Sequence, residues 1–430
     1  MLHARSWLLA LILLASTLVL LVWCCRHAWR RALPRPPKRS WRLHPSTPDD
    51  CPHCRLAATP RPGLPPPTVR PWREGRSRRG APRRVLTDGY ACRRPGCAYF
   101  GITDAQIHAL VANGRQGHTD RIQHYRCQAC GAKVSARWGT ALSHLKTPPA
   151  RIGEVLSVLA EGLAIGAAVR VFGHDEVTIT RWRDRAARQA ERVHRHFLRD
   201  LHLPHVQLDE IRTRLRPRER VTWLWLALDP RTKLIPALAL GPRTQQTAHT
   251  LVHTLRAALA PGCTPVITTD GLRLYFYAIT AHFGHWVAAG RRRRWVVDPA
   301  VIFGQLHKRY RHRHLVRIRY QMHCGSRRAL RTALRHLGWS GKRQTAFVER
   351  VNLTVRQSVA ALTRRTWATA QTTTGLQLQL AWWRGYYHFV RPHLSLRHDG
   401  RARTSAMAAS LTAHCWTAAE FLGYPCAETG

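Results

Sequence analysis

Between Thr147 and Phe197 apolar residues recur with a helical period. Ile152, Val155, Leu156 and Leu159 stand at i, i+3, i+4 and i+7, which makes one face of a helix apolar. A second helix is predicted around Ile165 to Phe172, with Gly173 stopping it. A third opens at His174 or Asp175 and presents Thr178, Thr180, Arg181 and Arg183 around a buried Ile179 and Trp182. This layout predicts a helix-turn-helix, whose last helix lies in the DNA major groove. A small helical bundle with a basic face is the plainer alternative.

Past residue 201 the pattern changes to short apolar runs. Val206, Leu208 and Ile211 in "HVQLDEIRTRL" mark a strand that delivers Asp209 and Glu210. The run "RVTWLWLALD", the turn "PRTK" and the run "LIPALALG" follow, so three strands form an antiparallel meander. A helix with Leu251, Leu255 and Leu259 on one face comes next, then the strand "PVITTD" ending in Thr268, Thr269 and Asp270. Three strands, a helix, a strand and a late helix is the order of a ribonuclease H-like fold. The expected fold class is therefore α/β, a ribonuclease H-like (integrase) core preceded by a zinc ribbon and an all-α helix-turn-helix module.

The start of the chain reads differently. Trp7 to Cys24 is 18 residues without a charge, which as a helix spans about 27 Å, enough to cross a bilayer. The basic flank "RHAWRRALPRPPKRS" predicts that the remainder faces the cytosol. A transmembrane anchor touching the membrane through residues 7–24 and an unused upstream stretch are equally open readings. No clear A-x-A site supports a cleaved signal peptide. Residues 31–85, rich in Pro and Arg, predict an extended basic linker.

Composition sharpens the partner. In 430 residues the chain carries 69 Lys plus Arg against 23 Asp plus Glu, a net charge of 69 − 23 = +46. With 45% hydrophobic residues it can build packed cores. So large a positive field selects a polyanion, because bound phosphates release their counterions. An anionic membrane would predict charge clustered beside one element, whereas here it runs from Arg26 to Arg403. Double-stranded DNA is the leading partner. The run Arg291 to Arg294 and "HKRYRHRHLVRIRY" predict DNA-backbone contact.

The twelve cysteines do not form a disulfide framework. Cys92-x4-Cys97 and Cys127-x2-Cys130 are two close pairs, the second in a strand–turn–strand knuckle. Two such knuckles suit one structural Zn(II). Cys51 and Cys54 form a further half-site, standing alone or joining Cys92 and Cys97. Thiolate ligands imply a reducing compartment.

Acids are scarce, so Glu349 in "FVERVNLTVRQSVAALTRR" stands out. The stripe Phe347, Val351, Val355, Val359 and Leu362 predicts a helix packed on the sheet, with Glu349, Asn352, Leu353 and Arg356 sharing a neighbouring face. Asp209, Asp270 and Glu349 then form a carboxylate cluster. Close carboxylates need cations to stay ionised, and two Mg(II) ions about 3.5 to 4 Å apart suit phosphoryl chemistry.

The stretches "YRCQACG", "GTALSHLKTP", "TITRW", "LDE", "TTDGLRLY", "AFVERVNLTVRQSVAALTRRT" and "WWRGYYHFVRPHLSL" resemble the DDE transposases of bacterial insertion sequences, closest to the IS1-like group. The likeness covers roughly residues 90 to 395. It implies a catalytic triad of Asp209, Asp270 and Glu349 with two Mg(II) or Mn(II) ions, and a homo-oligomer on DNA. It also implies recognition of terminal inverted repeats by the zinc and helix-turn-helix modules, cleavage and transfer of strands, and a cytoplasmic, nucleoid-associated place in a bacterium.

The expected divisions are 1–30, a hydrophobic segment; 31–85, linker; 86–146, zinc ribbon; 147–200, helix-turn-helix; 201–395, catalytic core; and 396–430, tail. The linker and the apolar start depart from the family pattern.

Plainer readings stand beside these. Glu210 competes with Asp209 as ligand, although alternation should send it to the opposite sheet face. Asp229 and Asp298 read as turn residues, and His388 and His393 as structural. Asn352 and Arg356 either contact phosphates or only solvate the helix. A zinc-containing DNA-binding regulator and a nuclease without strand transfer are the rival functions.

Overall fold

The computed structural model describes residues 69–72, 85–117, 120–216, 221–290, 292–312, 314–339, 345–363, 366, 368 and 370–426. The apolar segment 7–24, Cys51, Cys54 and most of the expected linker lie outside the described residues. Among the described residues no helix is long and apolar enough to cross a membrane.

Strands β1 (Leu110–Gln116), β2 (Ile122–Cys127) and β3 (Lys133–Ser135) form a small antiparallel sheet in that order. Three helices follow: α1 (Pro149–Ala160), α2 (Ile165–Phe172) and α3 (Glu176–Phe197). Gly173 closes α2 at φ 71°, a left-handed conformation that costs glycine little. Two residues later the Asp175 side chain accepts the Thr178 N–H at 2.9 Å and starts α3. The tight turn thus comes from one C-cap and one N-cap close together in sequence.

The main sheet has six strands: β4 (His205–Arg214), β5 (Val221–Leu228), β6 (Ala237–Gly241), β7 (Val266–Asp270), β10 (Ile302–Arg311) and β11 (His314–Cys324). Its order is β11-β10-β7-β4-β5-β6. The β4-β5-β6 meander is antiparallel, β7 lies parallel to β4, β10 parallel to β7, and β11 antiparallel to β10. Helix α4 (Gln245–Ala258) leads into β7 and α5 (Arg273–His282) leaves it, followed by the separate hairpin β8 (Gly284–Ala289) and β9 (Arg292–Val297). Helices α6 (Arg327–His336), α7 (Ala346–Ser358), α8 (Thr373–Phe389), α9 (Ser405–Ala408) and α10 (Ala418–Gly423) complete the described elements.

Alternation along the strands feeds two cores. Val206, Leu208, Trp225 and Ala227 pack with Leu251, Leu255 and Tyr275 of α4 and α5. Ile211, Leu224, Leu226 and Leu228 pack on the other face with Val348, Val351 and Val355 of α7 and Leu380 and Trp383 of α8. The sheet is covered by helices on both faces, the layering of a mixed α/β domain. Helix α8 turns Trp382 and Phe389 the other way, into a third core with Ile152, Leu156, Ile179 and Trp182. The helical module therefore shares a helix with the sheet domain. Trp382 Nε1 donates to Leu156 O at 2.8 Å, and His388 bridges His194 Nε2 (3.1 Å) and the Ile235 N–H (3.0 Å).

The structure adds to or changes three of these readings. The basic stretches around Arg292–Arg294 and His307–Tyr320 belong to strands β9 to β11, and β8 with the arginine-bearing half of β9 is exposed and shows no buried apolar period. Helix α7 ends at Ser358, so Leu362 lies in a following 3₁₀ turn and the buried stripe is Val348, Val351 and Val355. Within the expected tail, Trp416, Phe421 and Leu422 are buried in the helical module, and Gln189 Nε2 donates to Tyr424 O at 2.6 Å.

Candidate functional site

Cys92, Cys97, Cys127 and Cys130 come together, all four sulfurs within 4.8 Å of one another. Cys127 ends β2, and the turn to β3 closes with Gly131 N–H on Cys127 O (2.8 Å) and Cys127 N–H on Ala132 O (2.8 Å). Gly131, at φ 74°, supplies the left-handed step. The Sγ atoms of Cys92 and Cys130 are 3.4 Å apart and those of Cys97 and Cys127 3.9 Å. Sulfurs on a tetrahedral Zn(II) with bonds of about 2.3 Å stand about 3.8 Å apart, so the set fits such an ion. Burial pushes the Cys92 and Cys127 thiols up. At Cys130 slight burial is outweighed by the Ala132 N–H and the neighbouring sulfurs, which bring the thiol down to about 7.

The second group is acidic. Asp209, Glu210 and Asp270 each place an oxygen within 4.8 Å of the others. Asp209 and Glu210 lie on β4, Asp270 at the end of the adjacent parallel β7. Alternation holds for the two β4 acids. Asp209 turns toward α7, where Asn352 Nδ2 donates to its Oδ2 at 2.7 Å. Glu210 turns toward α5, accepting from the Tyr275 hydroxyl (3.0 Å) and Arg243 Nη2 (2.6 Å). Both nevertheless reach the strand end that Asp270 occupies, so opposite faces did not separate them.

Burial, then the neighbouring Asp270 charge, raises Asp209 to about 7. Glu210 is raised for the same reasons, with Arg243 and Tyr275 opposing. Asp270 is raised by burial, while the Leu272 N–H, Arg243, His307 and Lys308 pull it back. Bringing three carboxylates out of water is costly, and a hard cation on oxygen ligands relieves that cost. The donor set fits one. Gly271 keeps the turn after Asp270 open, since a Cβ there would meet His307 Nδ1 at 2.5 Å.

Glu349 is outside this group. Its Oε1 is ion-paired with Lys308 and accepts from Thr345 Oγ1 at 2.7 Å. Along α7, Val348 N–H binds Gln207 Oε1 (3.1 Å), Asn352 binds Asp209, and Arg356 Nη2 binds Arg212 O (3.2 Å). These positions at i, i+4 and i+8 zip the helix along β4. Asn352 and Arg356 thus do more than solvate the helix, and Leu353 is exposed.

On α3, Arg181 is exposed and Thr178 and Thr180 are half-buried. Arg183, expected on the same face, is buried with its guanidinium on Asp184 Oδ1 at 2.9 and 2.6 Å. The turn readings hold. Asp229 accepts from Arg231 N–H, Thr232 N–H and Thr232 Oγ1, and Asp298 from Ala300 N–H.

The sequence reading missed Arg243, Tyr275, Gln207 and Lys308. Tyr275 carries a signal, since it lies one helical turn inside α5 just after Asp270. Arg243 and Lys308 carry none among so many basic residues. Compared with protein-family models and with curated proteins, the chain matches none.

Proposed function

We propose that the chain is a DNA transposase that binds the ends of an insertion sequence and cuts and joins DNA strands at the acidic group. The observation that carries this reading is the convergence of Asp209 and Glu210, midway along β4, with Asp270 at the end of the adjacent parallel β7. Three antiparallel strands extended by two parallel ones, β6-β5-β4-β7-β10, is also the strand order of ribonuclease H-like cores, and it supports that fold. The four-cysteine knuckle, the capped turn between α2 and α3 and the charge of +46 supply means of holding DNA.

Mg(II) or Mn(II), as two ions, would activate water or a 3′-hydroxyl and neutralise the leaving oxygen, held by Asp209 and Asp270 with Glu349 as the third ligand. Glu210 has both oxygens engaged, by Arg243 and Tyr275, which makes it a buried brace. Asn352 holds Asp209 in one orientation. Lys308 neutralises Glu349, and opening that ion pair would free the carboxylate to serve as a ligand. Zn(II) at the four cysteines stiffens the ribbon.

The test is joining of a labelled terminal-repeat oligonucleotide to plasmid DNA in Mg(II). Wild-type protein should cut and join, and Asp270→Asn should do neither while still binding the repeat. Cutting without joining would convert the reading to a nuclease. Repeat binding with no cutting by wild type would leave a DNA-binding regulator.

A further inference from the structure

The hairpin β8–β9 belongs to neither the cysteine nor the acidic group, and it is anchored to the far end of α5, the helix that follows Asp270. Its base closes with Asp298 N–H on Phe283 O (2.9 Å), and Trp295 Nε1 donates to Thr280 O (2.9 Å) in the last turns of α5. Helix α5 starts three residues after Asp270 and has ten residues, a length of about 15 Å. A strand lying along it reaches from the hairpin to the acids.

The register pairs Trp286 with Trp295 and Ala288 with Arg293 on one face, and Val287 with Arg294 and Ala289 with Arg292 on the other. Trp286 meets Trp295 edge to face at 5.3 Å and remains 44% exposed, and Val287 is 39% exposed. Arg292, Arg293 and Arg294 are exposed, and among the described residues none makes an ion pair. No Asp or Glu occurs between Gly284 and Val297. Water favours neither the bare indole nor three neighbouring like charges. One ligand class relieves both, a phosphate-bearing strand with a base out of its stack. A fully paired duplex offers the arginines its phosphates but keeps its base faces stacked away from Trp286.

We propose that the β8–β9 hairpin binds unpaired DNA, with Trp286 stacked on a base, Arg293 on the same face holding a flanking phosphate, and Arg292 and Arg294 meeting the backbone from the opposite face. This rests on the reading of the chain as a DNA enzyme and names the strand state that it handles.

The test uses the full chain without added divalent metal. Oligonucleotides of one sequence are titrated as single strand, as duplex and as duplex with a short unpaired loop, each with 2-aminopurine at the position that the loop leaves unpaired. Trp286→Ala should bind single-stranded and looped DNA about tenfold more weakly and lose the quenching, with duplex binding unchanged. Trp286→Phe should recover most of both. Changing Arg292, Arg293 and Arg294 together to Ala should weaken all three probes and flatten the salt dependence by about 2 to 3 in log–log slope.

Wild-type binding of unpaired DNA by Trp286→Ala overturns the proposal. So does an equal loss on duplex, which would make the hairpin a backbone contact only. So does tighter Trp286-dependent binding to phosphatidylserine vesicles than to looped DNA, which would make it a membrane contact. Strand cleavage is scored separately. A chain that never cuts but shows the Trp286 effect loses the catalytic reading and keeps this one, and a chain that cuts without the effect loses only this one.

Discussion

The two groups able to hold a metal ion are built in opposite ways. In the ribbon, four sulfurs from two short loops already stand at spacings of 3.4 and 3.9 Å in two pairs, close to what one tetrahedral ion needs. In the sheet domain, three carboxylates from two strands are crowded at burial cost, and the fourth, Glu349, is held aside by Lys308. Local loops can position soft ligands because sequence distance is short. Hard ligands gathered from distant elements depend on how helix and sheet dock, and the same packing fixes the basic residues that neutralise them. On the proposed function, one group would stabilise a fold and the other would keep charge in reserve for a reaction.

The sharpest way to break the comparison is to remove one residue from each side. Asp270→Asn should abolish strand cleavage, and repeat-end binding measured by anisotropy should stay near wild type. Cleavage at wild-type rates would move the reaction elsewhere. On the other side, Cys127→Ser should release about one Zn(II) per chain and unfold the ribbon, since the apparent binding energy of such sites is about 10–16 kcal/mol. Metal analysis with circular dichroism checks it, and well-folded zinc-free wild type would refute it.

A finer comparison sets Glu349 against Glu210. Glu349→Gln should weaken Mn(II) binding about tenfold, by loss of an anionic ligand. Glu210→Gln should weaken it only about two- to threefold, because both of its oxygens are already taken by Arg243 and Tyr275. Titration by electron paramagnetic resonance reads both variants. An equal or larger loss in Glu210→Gln would shift the third ligand from helix to strand.

The smallest effect concerns how the helical module is joined to the sheet domain. Burial lowers His194 and His388 well below the ordinary histidine range, with Arg384 adding to it. The unfolded chain therefore takes up protons first as pH falls. The stability contributed by these neutral rings is full above about pH 6.5 and declines below it, by about 1 kcal/mol per ring for each further pH unit. Urea midpoints at pH 7.5 and 5.5 should show the drop, and His194→Gln should shrink it. An unchanged pH difference in that variant would remove the histidine pair from the explanation.

The sequence by itself determined a great deal. The Cys pairs, the Gly173–Asp175 turn, the meander of β4 to β6, the strand bearing Asp209 and the strand end bearing Asp270 are local features, and periodicity, capping and short spacings encode them directly. The residues that complete the acidic group were not legible. Glu210 and Asp209 alternate across the sheet and still converge, because the neighbouring parallel strand ends where both can reach it. Arg243, Tyr275, Lys308 and Asn352 come from four separate elements, and only their docking gives each a partner. The hairpins β8–β9 and β10–β11 were hidden for a related reason, since β8, the arginine-bearing half of β9 and much of β11 are exposed and carry no buried apolar period. Tertiary structure decided these points because a charge buried at a strand end is defined by whatever packs around it, and that is set by contacts between residues far apart in the chain.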